Sequence, residues 1–404
     1  MVGEDKTAPV YAATILGSWA SYNKLVSSND DDWVDRLNHL YTVILLAIFA
    51  VFVTGGQYAG NPIECWVPAH FTGSYRSYAK SYCWVKNTYH VPMDTPIPSV
   101  KGERSQEELT YYQWVPVILL FMALLFKFPA LVWRGLNGLS GLSIDKIVTM
   151  TTSTQYGDEA KREETLEHIS TFLDRWLDTR VKRCLRRNLI SRLCACCADR
   201  GGKILTTIYL LVKFLFLLNV IIQFFLLNAF MGDWYHVYGF EVLEGLSSDE
   251  NWTDSARFPK VTMCDFEIRQ LANIQTYTVQ CVLPINLFNE KIFIFLWFWF
   301  VFVAVCTSGN FLFWIWRALV KNSQAAYIKK YLSILDQVRT TEDKKLARRF
   351  AEEYLRDDGV FILRLIARNT SDILIGDLIL KMFNRFKDKP AIKASRTNDD
   401  EDHL

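Results

Sequence analysis

The chain has 404 residues, half of them hydrophobic and 14% aromatic, with a formal charge of +2. Mean hydropathy is only slightly positive, which excludes a wall-to-wall transporter. The near-neutral total charge says little, because its distribution carries the information. The apolar residues concentrate in a few runs.

Residues 1–38 form a cytoplasmic N-terminal segment in this reading. No cleavable signal peptide is expected. The first long apolar run begins near Leu40, with charged residues ahead of it and no small-residue cleavage site, so it should act as a retained anchor. Crossing the hydrocarbon as a helix takes about 20 mostly apolar residues, and four segments qualify. The first span, 39–58, carries no charge beyond its start. The second, 112–133, carries only Lys127, placed near one end where it can snorkel. The third, 204–231, carries only Lys213, and the fourth, 287–316, holds the dense run "FIFLWFWFVF". The intervening segments are 59–111, 134–203 and 232–286, with a tail at 317–404. "YYQWVPVILLFMALL" (Tyr111–Leu125) leads into the second span, and its Tyr and Trp rings are expected at headgroup depth with their polar tips in water.

Four spans put both termini on one side. The 134–203 loop carries 13 Lys and Arg and the tail 18, against 5 in 59–111 and 3 in 232–286. The positive-inside bias therefore predicts cytoplasmic termini and a cytoplasmic middle loop. Cys65 and Cys83 then fall in the first outer loop, and Cys264 and Cys281 in the second. An even set facing an oxidising space predicts disulfide-braced outer loops. Four cysteines allow three pairings, and spacing does not choose among them. The sequon at Asn251 lies outside, where glycosylation can occur, whereas the one at Asn369 lies inside and should stay bare.

On the cytoplasmic side, Leu166, Ile169, Phe172, Leu173, Trp176, Leu177, Val181 and Leu185 recur at helical steps. The basic stretch "RVKRCLRRNLISRLCACCADRGGK" follows, a positive face suited to anionic lipid. Its Cys194, Cys196 and Cys197 are palmitoylation candidates; their spacing is too tight for zinc. The tail repeats "YIKKYLSILDQV", "VFILRLIARN" and "DILIGDLILKMF" predict a small helical domain, and the acidic end "DDEDHL" should be disordered. The predicted fold class is an all-α membrane protein: a four-transmembrane-helix bundle with disulfide-braced outer loops and a helical cytoplasmic domain.

Catalytic chemistry is missing from the pattern. None of the six histidines pairs at ligand or catalytic spacing, and there is no Walker loop, dinucleotide fingerprint or nucleophile elbow. Lys127 and Lys213 show no acidic partner inside a span. The expectation is a non-enzyme with no cofactor, no metal and no nucleic-acid partner.

Several long strings name a family. Tyr111, Tyr112, Gln113, Trp114, Val115 and Pro116 ("YYQWVP"), at the start of a second span, resemble the hallmark of the innexins, the invertebrate gap-junction proteins. "NPIECWVPAHF" and "YCWVKNTYHVP" resemble that family's first outer loop. "FPKVTMCDFEIR" and "QCVLPINLFNEKIFIFLWFWFVFVAV" resemble its second outer loop and fourth span. "DRLN" and "LRDDGVFILRLIARN" resemble its lead-in to the first span and a tail pattern.

The resemblance implies a large-pore gap-junction channel subunit at the plasma membrane, passing ions and small metabolites between adjacent cells. It implies a ring of about eight subunits, self or other innexins, docked to an opposing ring on the neighbouring cell. The alternatives are an undocked pannexin-like hemichannel and a non-conducting adhesion or scaffold protein. The family plan pairs Cys65 with Cys281 and Cys83 with Cys264. It also implies a pore helix at Val10–Leu25 and a pore-lining first span, making Ser18 and Ala50 pore candidates. Asp30, Asp31 and Asp32 would form an anionic ring at the cytoplasmic mouth or cap the first span.

Overall fold

The computed structural model describes residues 31–389, apart from 93, 101, 103, 105–106, 140–141, 155–157, 186–202, 233–234 and 248–256. Four helices are long and apolar enough to cross a membrane. The first, α1 (Trp33–Tyr58), is interrupted by a π-helical turn at Leu37–Thr42. There the Thr42 hydroxyl donates to the Leu37 carbonyl at 2.8 Å. After α2 (Gly73–Lys86) comes the second long helix, α3 (Val115–Leu139). Pro116 sits in its first turn, where a missing N–H costs nothing, and Pro129 lies in its interior. Two shorter-loop helices follow, α4 (Ile144–Ser153) and α5 (Glu159–Leu185). The third long helix is α6 (Ile204–Met231), followed by α7 (Tyr238–Ser247). The fourth is α8 (Pro284–Leu319), after which come α9 (Lys321–Ile334), α10 (Thr341–Arg349), α11 (Arg356–Asn369) and α12 (Asp372–Lys387).

The chain divides into two compact units. The unit built from Leu37–Phe128 and Phe216–Ser308 contains a five-stranded antiparallel sheet in the order β1-β5-β4-β2-β3. The short strands β1 (Glu64–Trp66), β2 (Thr88–Tyr89) and β3 (Glu108–Leu109) come from the loop between α1 and α3. The long strands β4 (Val261–Gln270) and β5 (Asn273–Val282) form a hairpin paired from Val261↔Val282 to Gln270↔Asn273. Thr262, Cys264 and Phe266 alternate into the core on β4, as do Val279 and Cys281 on β5. That two-residue period is what a half-buried strand requires. The all-helical expectation carried no strands, so this sheet is the main addition.

The other unit comprises the chain up to Arg36, Pro129–Leu215 and the part from Gly309 onward. The apolar faces of α11 and α12 supply its core: Val360, Ile362, Leu365, Ile366, Leu378, Ile379 and Phe383 are buried. Leu166, Ile169, Leu173 and Leu177 on α5 are buried too, at the helical spacing read from the sequence. An ion-pair ladder joins α5 to α12. Arg162 pairs with Asp377, Lys381 with Glu163 and Glu167, and Arg385 with Glu167.

Candidate functional site

The sheet carries two disulfides. Cys65 on β1 and Cys281 on β5 face each other in the ladder and are bonded, with Cα atoms 4.0 Å apart. Cys83, near the end of α2, is bonded to Cys264 on β4, with Cα atoms 5.8 Å apart. Each bond crosses from the loop after α1 to the loop before α8. The sulfurs of Cys65, Cys83 and Cys281 lie within 4.8 Å of one another, so the two bonds form one buried knot rather than a metal site.

The Tyr-Tyr-Gln-Trp string supports the same layer. Tyr111 and Tyr112 are 6% and 0% exposed, so their polar tips lie inside the protein and not in water as the sequence suggests. The Tyr111 hydroxyl donates to the Arg257 carbonyl at 3.0 Å, and its ring meets Phe258 edge-on. Tyr112 packs against Trp84, and its carbonyl accepts from the Gln57 side chain at 2.9 Å. The Gln113 amide donates to the Trp84 carbonyl and to the Asn87 side chain. Trp114 is the exposed ring of the set, and Val115 is fully buried. The motif therefore fastens the start of α3 to α2 and to the residues ahead of β4.

A polar group on the sheet is equally tied. Asp265 accepts from Arg104 at 2.7 Å, Thr278 at 2.7 Å and Tyr89 at 3.1 Å. Burial works against its charge, but the Thr278, Arg104 and Tyr89 hydrogen bonds outweigh it and hold the carboxyl below its usual range.

The other unit encloses a charged cluster. Lys213 on α6 is 2% exposed and donates to Asp32 at 2.9 Å and to Asp35 at 2.7 Å. Asp32 also accepts from Asn310, Trp314 and Arg368 side chains, and from the Val34 backbone N–H as a helix cap. Burial would raise the Asp32 carboxyl, yet Lys213, Trp314 and Arg368 hold it well below the usual carboxylate range. The Tyr209 hydroxyl lies 3.2 Å from Asp35. Asp358 of α11 accepts from the Leu205 and Thr206 backbone N–H groups, capping the start of α6 across the fold.

Residues 31–386 match the innexin family model. The chain is 39% identical over 359 residues to "Innexin unc-9" of Caenorhabditis elegans, covering 89% of this chain and 93% of the relative. It is 38% identical to "Innexin-12" of the same organism, over 88% of this chain and 89% of the relative. To "Innexin-19" of Caenorhabditis briggsae it is 34% identical, over 94% and 91%. The chain belongs to the innexin family. Innexins are gap-junction channel proteins and not enzymes, and this innexin is a multi-pass membrane protein with disulfide-bonded cysteines.

Several residues singled out in the sequence sit elsewhere than expected. Ala50 is 2% exposed and packed in the core, so the face of α1 left open belongs instead to Tyr41, Ile48, Val51, Phe52 and Tyr58. Asp31 and Asp32 are buried: Asp32 takes the capping role at the start of α1, one of the two expected for it, and Asp31 accepts from Arg36 at 2.9 Å. Lys213 has an acidic partner in Asp35, in the first turn of α1 and ahead of the apolar run. Ser18, Asp30, the Val10–Leu25 segment, Cys194, Cys196, Cys197 and Asn251 lie outside the described residues. Nothing in the sequence links Arg368, Asn310 and Trp314 to Asp32, because they lie 336, 278 and 282 positions from it.

Proposed function

We propose that this innexin assembles as a ring of about eight subunits around a wide pore, and that the ring docks to an opposing ring to pass ions and small metabolites between cells. The termini and the 134–203 loop face the cytoplasm in this reading, because Lys and Arg concentrate there. The disulfide knot carries the reading. Two bonds lock a sheet drawn from both outward loops, giving the stiff rim that docking between cells requires. The open face of α1, with Ile48, Val51 and Phe52, is the proposed pore wall, continued by the N-terminal segment with Ser18. Asn251 is a proposed glycan acceptor, and Cys194, Cys196 and Cys197 are proposed acyl sites beside the inner leaflet.

Paired-cell voltage clamp tests the proposal. Expressing the chain in both cells should produce junctional current. Current confined to single cells would favour an undocked hemichannel, and none in either would favour a non-conducting adhesion protein. An epitope after Leu404 should be reached only in permeabilised cells, and one near Ser99 on intact cells.

A further inference from the structure

Three guanidinium groups converge just beyond the fourth span. Arg317, in the last turn of α8, lies 4.1 Å above the Phe313 ring, and Arg368 of α11 lies 5.5 Å over the same ring. Arg364, one turn earlier on α11, lies 5.1 Å over Tyr327 of α9. Arg368 has Asp32 as its counter-charge. Among the described residues, no carboxylate lies within ion-pair distance of Arg317 or Arg364.

Arg364 is the informative member. It is 6% exposed, and one terminal nitrogen donates to the Ser323 carbonyl at 2.8 Å and hydroxyl at 3.0 Å. Its Nε is buried with no hydrogen-bond partner. A buried cation without an anion is costly, and an unmade bond at a charged donor adds to that cost. Burial, then the neighbouring Arg317 and Arg368 charges, push its pKa down to about 10, with Tyr327 opposing. The surroundings thus hold surplus positive charge and an unused donor in a fixed place.

We propose that Arg317, Arg364 and Arg368 form a binding site for a phosphate group, either on a lipid headgroup or on a free organic phosphate. Guanidinium forks match phosphate oxygens in pairs, and a doubly charged group offsets the repulsion among three arginines better than one carboxylate can. Trp316 and Leu319 are exposed on the last turns of α8, at the end of a helix apolar enough to span, where a Trp ring suits the headgroup layer. Only the assignment to the cytoplasmic leaflet rests on the proposed orientation.

The test uses the full chain in phosphatidylcholine nanodiscs and does not depend on conductance. One arm titrates radiolabelled inositol trisphosphate. The other adds a phosphatidylinositol bisphosphate to the discs and detects retained lipid by native mass spectrometry. Arg317→Gln and Arg364→Lys are compared with the unaltered chain after each is shown to elute as the intact oligomer. The lysine keeps the buried charge but loses the fork. Binding in either arm that weakens about tenfold in both variants supports the site, and the responding arm identifies the source. Binding by neither probe, or binding equal in all three proteins, overturns it.

Discussion

Lys213 lies within an apolar helix that would reject a bare ammonium, and two carboxylates from the start of α1 explain its presence. It pairs with Asp32 and Asp35, and Asp32 in turn gathers Trp314, Asn310 and Arg368. Replacing an ion pair wholesale can be neutral, but removing one partner leaves a buried charge uncompensated. Lys213→Met should therefore destabilise the protein by about 3–5 kcal/mol. Adding Asp35→Asn should recover part of the loss, read as the thermal midpoint of purified oligomer. A midpoint unchanged by the single substitution would contradict the assigned role. Asp265 makes a separate prediction about pH. Its carboxyl is depressed in the folded state, so its contribution is present above the unfolded value of about 3.9 and disappears as pH falls through the native value. The sheet should hold constant stability through this group between about pH 5 and 8. Asp265→Asn should cost about 1–3 kcal/mol at neutral pH, by weakening bonds from Arg104, Thr278 and Tyr89. Hydrogen exchange at the β4–β5 ladder measures both effects, and a pH step near neutrality that Asp265→Asn abolishes would contradict the first.

At the scale of elements, the helices were legible and the sheet was not. Twenty-residue apolar runs have one physical outcome in a membrane, so the four long helices could be anticipated from the sequence, although their ends depart from the apolar runs by as much as six residues. The loop strands lacked that constraint. "VTMCDFEIRQ" and "NIQTYTVQCV" do alternate, and a two-residue step joins them, but Leu271 and Ala272 are not the Asn-Gly or Asp-Gly that announce a hairpin. Leu271 takes the left-handed turn without glycine, at φ 51°. The rotation of α1 was also hidden, because a span apolar all round gives no face to read. The burial pattern supplies it: Val51 is 61% exposed and Ala50 2%. Cysteine at Val51 should react with a charged thiol reagent and change channel current, whereas cysteine at Ala50 should stay silent. Equal reactivity at both sites would mean that α1 is not rotated as described.

At the scale of the whole molecule, the two disulfides tie together loops that the chain separates by 216 and 181 residues. The bonds are nested, so they do not contribute equally. In the loop-entropy model, the first to form closes a segment of roughly 200 residues, worth about 5 kcal/mol. Once it exists, the second closes only the short arms between Cys65 and Cys83 and between Cys264 and Cys281, worth about 4 kcal/mol. Membrane spans already hold the feet of both loops, which pulls each figure toward the common range of about 2–4 kcal/mol. The larger effect is geometric. Cys65–Cys281 fixes the short β1 to the hairpin, and Cys83–Cys264 fixes α2, so losing either frees a different part of the sheet layer. Replacing Cys65, Cys281 or Cys264 by serine also strands a thiol inside the knot, within reach of the remaining bond. Single substitutions should therefore abolish junctional current while protein still reaches the surface. Cys65→Ser with Cys281→Ser should do no worse than either alone, because the pair removes the stray thiol together with the bond. Surface biotinylation with paired-cell recording makes the comparison, and a double variant clearly worse than both singles would mean that Cys65 and Cys281 act independently of one another.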